Sequence, residues 1–375
     1  KGFAPYFLVV ADAVRQAPRT CGRGSAASSI VSYCLGITNV DPVRYDLFFD
    51  RFLNPGRKDP PDIDVDFPWD ERDDVLDYVF KKYGGSCVAM IANHVTFKAR
   101  SAVREIAKVY GLPETEISVM TSRMSSHWQP THLEQMMSRH PVFRNIEIRP
   151  PWPEIIRQAE KIRGFPRYLS IHCGGVVIVP DGLDRYVPVQ PAKKLLKPYN
   201  LKEGGVPRRV ARLQVVQWEK DQAEDMGLVK MDLLGNRSLS VIRDTIRAVA
   251  SNHGVVIDYA SWDPLQDKAT QSLLARGDTI GVFYVESPAM RQLQKKTGKG
   301  DFEHLIIHSS IIRPAANIYI NEYIRRLKGG GYEPLHPKLE EVLRETFGIM
   351  VYQEDVSKVA MALADFDASS ADDLR

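Results

Sequence analysis

Apolar and polar positions follow two different periods along the chain, and the mixture predicts both helices and strands. Residues 4–17, "APYFLVVADAVRQA", have helical spacing and are followed by Pro18. Residues 61–67, "PDIDVDF", alternate strictly and predict a strand. Apolar runs at 87–91 ("CVAMI"), 174–180 ("GGVVIVP") and 227–235 ("GLVKMDLLG") predict further strands. We therefore expect a mixed α+β fold.

Helical patterns occupy most of the remaining sequence. A helix capped by Asp70 is expected to end at Gly84, and another to cover residues 97–110. Residues 112–170 are rich in Pro, Met and Trp, and we expect a smaller helical module inserted there between two halves of a sheet domain. After Asn236 the sequence becomes mainly helical. Its first helix is expected to bury one face formed by Leu239, Ile242, Ile246 and Val249.

Composition narrows the class of protein without identifying a partner. The 50 basic and 47 acidic residues leave a net charge of +3, so any surface for a polyanion must be local. The four cysteines form no CxxC pair and predict reduced thiols in a cytosolic protein. No apolar run approaches the roughly 18–20 residues of a membrane span, and we expect no signal peptide. The chain opens on Lys1, and we expect it to be a segment of a longer protein.

The strand "PDIDVDF" is the first candidate for chemistry. Alternation places Asp62, Asp64 and Asp66 on one face, with successive Cα atoms about 7 Å apart. Like charges at such spacing repel one another unless a cation lies between them, and Mg²⁺ prefers carboxylate oxygens. The alternative is a solvated acidic face on an edge strand.

A further acid, Asp232, favours metal binding over a solvated acidic face. Asp232 lies in the otherwise apolar strand "LVKMDLLG", where a carboxylate is expected to be buried or catalytic. Three carboxylates on adjacent strands can hold two Mg²⁺ ions about 3.5–4 Å apart. Lys230 is two residues earlier and shares a face with Asp232, so it either pairs with the acids or meets a phosphate.

A glycine turn supplies a candidate phosphate site. In "CGRGSAASS", Gly22 and Gly24 permit a tight turn, and Ser25 is expected to begin a helix whose backbone N–H groups face an anion. Simple helix capping is the alternative. The Walker pattern GxxxxGK[ST] does not occur in the sequence.

Basic and isolated polar residues give weaker signals. Arg100, Arg104 and Lys108 form one stripe on the helix from Phe97, which suits a nucleic-acid backbone or is simply solvated. "KKTGKG" at 295–300 predicts a second basic loop. Arg313 lies in an apolar stretch and is expected to be paired, whereas His172, before two glycines, is expected to form structural hydrogen bonds.

Taken together, these segments resemble the C-family DNA polymerases, the alpha subunits of bacterial DNA polymerase III. The resemblance covers nearly the whole chain, in "GRGSAASS", "LFFDRFLNPGRKDPPDIDVDF", "HCGGVVI", "GLVKMDLLG", "GVFYVESPAM" and "TFGIMVYQEDV". "CGRGSAASS", "PPDIDVDF" and "FPRYLSIHCGG" are more similar to the error-prone, lesion-tolerant paralogues. One departure is "RPAAN" at 313–317, where the family usually has RPGP.

The resemblance implies a polymerase-beta-like nucleotidyltransferase palm with a helical thumb insertion and a mainly helical fingers region. The implied domains are palm at 1–93 and 171–237, thumb at 94–170 and partial fingers at 238–375. It implies that Asp62, Asp64 and Asp232 bind the metal, while one branch of the family has asparagine at the position of Asp66.

The resemblance also implies ligands and partners. Two Mg²⁺ ions, replaceable by Mn²⁺, and a dNTP would bind the palm. The implied nucleotide-binding residues are Arg23, Gly24, Ser25, Lys230 and Arg313. The implied DNA-binding residues, on the basic stripe and just before it, are Lys98, Arg100, Arg104 and Lys108. Primer–template DNA is the expected substrate, and a sliding clamp and other replication proteins would bind regions outside this chain.

The sequence thus predicts a template-directed DNA polymerase core that joins a dNTP to a primer 3′-hydroxyl, with activity expected of the full-length polypeptide. Two alternatives are compatible with the same residues. A two-metal phosphodiesterase or nuclease would use the same acids with water as nucleophile. A non-catalytic DNA-binding scaffold would have no need of three costly carboxylates held together.

Overall fold

A computed structural model describes residues 2–56, 62–124, 137, 139–143, 148–195, 212–259 and 261–374. The chain divides into two compact units, residues 1–82 with 231–375 and residues 83–230. Along the described residues, no helix combines the length and apolarity that crossing a bilayer requires. Pro61, in the predicted strand, and residues 125–136, 138 and 144–147, in the predicted helical module, lie outside the described residues.

Helices and strands alternate through the first two-thirds of the chain, and helices fill the last third. The described strands are β1 (Cys21–Arg23), β2 (Ile63–Pro68), β3 (Val88–Thr96), β4 (Pro166–Ile178), β5 (Val189–Leu195), β6 (Arg212–Val216) and β7 (Lys230–Asn236). The described α-helices are α1 (Ala4–Val14), α2 (Ile30–Cys34), α3 (Arg72–Tyr83), α4 (Ala99–Val109), α5 (Glu114–Thr121), α6 (Trp152–Ile162), α7 (Lys220–Asp225), α8 (Arg237–His253), α9 (Lys268–Arg276), α10 (Pro288–Thr297), α11 (Phe302–Ile311), α12 (Asn317–Leu327), α13 (Leu339–Val342), α14 (Gln353–Ala364) and α15 (Ala368–Leu374). The mixed α+β composition expected from the sequence is confirmed.

The first unit is built on the strand whose alternation was clearest in the sequence. β2 pairs antiparallel with β1 and parallel with β7. The apolar residues of β2, namely Ile63, Val65 and Phe67, are fully buried. Burial of side chains of this size contributes about 1.5–3 kcal/mol each, so this face anchors β2 and leaves its acidic face directed away from that core.

Two helices of the first unit contact each other through polar side chains. The Tyr78 hydroxyl on α3 donates to the Asp12 carboxylate on α1, and Lys82 Nζ lies 2.7 Å from Asp12 Oδ2. The expected cap of α3 is wrong, because α3 begins at Arg72 and the Asp70 carboxylate instead accepts hydrogen bonds from Ser240 and Arg243 on α8. Arg243 thereby holds the pKa of Asp70 well below its ordinary value.

Helix α8 and the helices after it form the remainder of the first unit. On α8, Leu239 and Ile246 are buried as predicted, and Ser240 and Arg243 are buried beside them. Further along, α10, α11 and α12 share a core with the segment before α14. Its buried members are Leu293, Ile307, Ile311, Tyr323 and Ile349. The basic segment at 295–300 is not wholly a loop, since α10 continues to Thr297 and ends at Gly298 in the left-handed conformation.

Within its described residues, the second unit contains the strands β3 to β6 and the helices α4 to α7. β3 pairs antiparallel with β4 and parallel with β6, and β5 pairs antiparallel with β6. Strand β4 begins at Pro166 rather than Gly174. Helices α4, α5 and α6 share a separate core that includes Val103, Ile117 and Ile155, which places a helical cluster in the region where the sequence predicted one.

Candidate active site

Parallel pairing of β2 with β7 brings the predicted acids together. Asp64 is the register partner of Asp232, and Asp62 precedes Asp64 by two residues on the same face. One carboxylate oxygen from each of the three residues lies within 4.8 Å of the others. Asp232 is 8% exposed, and Asp62 and Asp64 are half-buried. Among the described residues, this is the one cluster of three or more His, Cys, Asp or Glu side chains with the geometry to hold a metal ion.

The electrostatics of this cluster extend to a tyrosine on α1. The Tyr6 hydroxyl accepts a hydrogen bond from the backbone N–H of Ile63, at 3.3 Å. Burial first, and then the charge of Asp62 with smaller contributions from Asp64 and Asp232, raises the pKa of Tyr6 well above its ordinary value. Tyr6 therefore stays neutral, and the three acids create a negative field to which a cation is attracted.

The glycine turn lies against the same acids. Gly24 has φ +70°, and a Cβ atom built there would lie 3.6 Å from Asp64 Oδ2. At Gly22, a Cβ would come within 2.2 Å of the Ile37 carbonyl oxygen, so only glycine fits. Ser25 does not begin an α-helix as expected: it lies in a 3₁₀ segment, Gly24–Ser28, and α2 begins five residues later with Ser29 as its cap.

Asp66 shares the acidic face of β2 but has different neighbours. Arg23 Nε lies 3.2 Å from Asp66 Oδ1, and Asn236 Nδ2 donates to Asp66 Oδ2 at 2.9 Å. Asp66 is not a member of the three-acid cluster. The alternation of the sequence places it on the correct face, but its contacts distinguish it from Asp62 and Asp64.

Two further predicted nucleotide-binding residues differ in exposure. Lys230, at the start of β7, is 6% exposed. Arg313 follows the last turn of α11, and its side chain is exposed rather than enclosed by its apolar neighbours in sequence. Its loop contains Ala315 with φ +63°, a left-handed conformation that is unfavourable for alanine.

The predicted basic stripe lies on α4 in the second unit. Arg104 forms an ion pair with Glu114, and Lys108 Nζ lies 3.2 Å from Glu105. Arg104 also holds the pKa of Glu114 below its ordinary value. Lys98 and Arg100 are exposed. Local acids therefore neutralise part of this stripe.

Two structural expectations are confirmed. His172 Nδ1 accepts hydrogen bonds from the backbone N–H groups of Gly174, at 3.2 Å, and Gly175, at 2.7 Å, so this histidine organises its own turn. The four cysteines are all free thiols.

Two residues beside the acids, Tyr6 and Asn236, were not predicted from the sequence. Nothing in the pattern of α1 connects Tyr6 with residues so distant in sequence. Asn236 had a detectable signal, since asparagine directly before a helical pattern is a common N-cap. Its side chain caps α8 by accepting from the Ser238 N–H, and the same side chain donates to Asp66.

Comparison with known proteins agrees with this geometry. Residues 1–235 match the family model described as the bacterial DNA polymerase III alpha NTPase domain. The chain belongs to the bacterial DNA polymerase III alpha family. Residues 238–375 match a second model of this family, the DNA polymerase III alpha subunit finger domain.

Curated relatives in the family carry two kinds of name. The chain is similar to the error-prone DNA polymerase of Symbiobacterium thermophilum, with 38% identity over all of this chain and 33% of the relative. It is similar to the DNA polymerase III subunit alpha of Halalkalibacterium halodurans, with 35% identity over all of this chain and 32% of the relative. The chain thus spans about a third of the length of the curated relatives it matches.

Proposed function

We propose that the full-length protein is a template-directed DNA polymerase and that this chain forms its catalytic core. The reaction is nucleotidyl transfer, in which a primer 3′-hydroxyl displaces pyrophosphate from a dNTP. The convergence of Asp62, Asp64 and Asp232 within 4.8 Å, in a member of this family, carries the proposal.

The donor set fits divalent cations, and we infer Mg²⁺ or Mn²⁺. Carboxylate oxygens are the ligands that both ions prefer, and a cation relieves the repulsion among acids held this closely. Two bound ions would lower the pKa of the primer hydroxyl and stabilise the charge on departing pyrophosphate. The protein's own contribution is positional: β2 and β7 fix three oxygens in register, and Tyr6 remains a neutral neighbour.

The nucleotide is proposed to lie beside the acids, against the glycine turn. Gly24 and Ser25 would contact its phosphates through the backbone, since Gly24 lies close to Asp64. Arg23, adjacent in sequence, and Lys230, on the strand that carries Asp232, would contribute positive charge. Arg313, exposed after α11, would meet phosphates from the fingers.

We propose the polymerase domain division for the chain: palm at 1–93 and 171–237, thumb at 94–170, and fingers at 238–375. The separate core of α4, α5 and α6 supports a helical thumb, and the match of 238–375 to the finger-domain model supports the last boundary. DNA would contact the thumb at Lys98, Arg100, Arg104 and Lys108.

The remaining proposals concern the whole protein. Primer–template DNA is its substrate, and regions outside this chain bind a sliding clamp and other replication proteins in the cytoplasm. The names of several relatives and the motifs of this sequence favour error-prone or lesion-tolerant synthesis.

Primer extension by the full-length protein tests the proposed function. Asp64→Asn should lower kcat by roughly a hundredfold or more, because metal-held charge stabilisation is worth several kcal/mol. Asp225→Asn is the matched control, since Asp225 is exposed at the end of α7 in the second unit. It should extend primers like the wild type.

Two results would contradict the proposal. Substantial extension by Asp64→Asn would remove the acids from catalysis. The protein would instead be a nuclease if the wild type cleaved DNA with Mn²⁺ in the absence of dNTP and extended no primer. Asp64→Asn should then have lost this cleavage.

A further inference from the structure

Asp66 is the third acid of "DIDVD", and its surroundings indicate a role other than metal binding. It is 7% exposed, and each of its carboxylate oxygens meets a protein donor. Arg23 Nε lies 3.2 Å from Oδ1, and Asn236 Nδ2 lies 2.9 Å from Oδ2. A carboxylate enclosed by these two donors is satisfied within the protein.

Asn236 fixes the orientation of this contact. Its Oδ1 accepts from the Ser238 N–H at 2.9 Å and caps α8. With the amide oxygen facing the helix, Nδ2 is left to face Asp66, at the opposite side of the same planar group. The start of α8, the end of β7 and the acidic face of β2 are therefore joined through one amide.

Arg23 is the outer member of the same chain of contacts. It ends β1, in register with Asp64, and directly precedes Gly24. Its side chain remains 52% exposed while Nε contacts Asp66. A guanidinium has five N–H donors in a rigid fork, so fixing Nε orients the terminal nitrogens without consuming them.

We propose that Asp66 is a positioning residue: it holds Arg23 beside the Gly24 turn, where the guanidinium binds the phosphates of the incoming nucleotide. Asn236 holds Asp66 in turn. This inference rests on the proposed polymerase function and assigns Asp66 to the nucleotide rather than to the metal. A long arginine side chain that is oriented before binding loses less conformational freedom when the nucleotide arrives.

Steady-state kinetics of the full-length protein test the proposal. Asp66→Asn removes the charge that holds Arg23 and should raise KM for dNTP roughly tenfold, with kcat within about twofold of wild type. Arg23→Ala should raise KM at least as much. Because both changes act through one guanidinium, the double variant should match Arg23→Ala alone rather than add to it.

Rescue separates positioning from a general structural role. In Asp66→Asn/Asn236→Asp, the amide and carboxylate exchange places, so the hydrogen bond between positions 66 and 236 is restored and aspartate still caps α8. KM should recover partly toward wild type. Should Asp66→Asn not fold, Asn236→Ser keeps the cap and removes only the donor to Asp66, and it should show a smaller rise in KM.

Calorimetric titration with Mn²⁺ and dNTP supplies a readout independent of turnover. Asp66→Asn should bind Mn²⁺ like the wild type, whereas Asp64→Asn should not. Loss of Mn²⁺ binding in Asp66→Asn would make Asp66 a ligand, and an unchanged KM or additive effects with Arg23→Ala would also overturn the inference. If wild-type protein extends no primer, the proposed function fails, and dNTP affinity in the same titrations still decides the role of Asp66.

Discussion

Single residues show how an identical chemical group takes different roles on one strand. Asp62, Asp64 and Asp66 all follow from strict alternation, and the sequence places them on one face. Asp62 and Asp64 join the acid cluster because Asp232 on β7 lies beside them, whereas Asp66 pairs with Arg23 on β1. Those neighbours come from distant segments, so alternation predicts the face but cannot predict each acid's partner.

His308 should make the stability of the protein depend on pH. It is fully buried on α11, with its ring 6.0 Å from that of Tyr323. Burial, assisted by His304 and opposed by Asp301, lowers the pKa of His308 to about 4. The unfolded chain, with a histidine pKa near 6.5, therefore binds a proton that the folded protein resists.

The sign of the pH dependence follows from this difference. The contribution of His308 to stability is present above pH 6.5 and is lost as pH falls toward 4. The free energy of unfolding, measured in urea, should fall between pH 7 and pH 5. This fall should be about 2 kcal/mol smaller in His308→Leu than in the wild type. His253→Gln, changed at an exposed position, should keep the wild-type dependence. Equal pH dependence in all three proteins would contradict the assignment.

A strand or helix could be predicted from the sequence where one of its faces carries buried apolar side chains. β2 has a fully buried apolar face, and its alternation was visible in the sequence. The first half of β4, from Pro166, is exposed or half-buried, so no apolar run marked it. β1 is three residues long and was read only as a glycine turn. Short or exposed strands are specified by pairing partners, which a local pattern does not contain.

Helix α8 contains a buried charge, Arg243, that the pattern of apolar residues in the helix does not predict. Arg243 is 6% exposed and forms ion pairs with Asp70, at 2.7 Å, and Glu71, at 2.6 Å. Arg243→Met should lower the free energy of unfolding by about 1–2 kcal/mol, because Asp70 and Glu71, which are partly exposed, lose their charged hydrogen-bond donor. Arg247→Met, at an exposed position of the same helix, should cost less than about 0.5 kcal/mol in denaturant titrations. Similar losses in both variants would contradict this account of the network.

The turn after α11 contains a residue whose replacement should stabilise the protein. Ala315 is held at φ +63° in "RPAAN", where the family usually has glycine. Ala315→Gly should raise the free energy of unfolding by about 1 kcal/mol, since glycine adopts this conformation without strain. Ala316→Gly, at φ −82°, should lower it by about 0.5 kcal/mol. Destabilisation by both glycines in thermal unfolding would show that Ala315 is not strained.

For the whole molecule, the family resemblance carried information that composition and periodicity did not. A net charge of +3 and an ordinary apolar content are compatible with many functions. Local patterns predicted strands at 61–67 and 227–235, but their parallel pairing, on which the acid cluster depends, is a long-range contact. The motifs predicted that convergence through the family, and the register of Asp64 with Asp232 gives its physical basis.

Anomalous diffraction from crystals of the full-length protein, grown with Mn²⁺, primer–template DNA and a non-hydrolysable dNTP, would locate the metal ions directly. We expect manganese peaks about 2 Å from carboxylate oxygens of Asp62, Asp64 and Asp232, with none on Asp66. Manganese bound elsewhere, with these three carboxylates contacting no ion while the nucleotide is in place, would contradict this assignment.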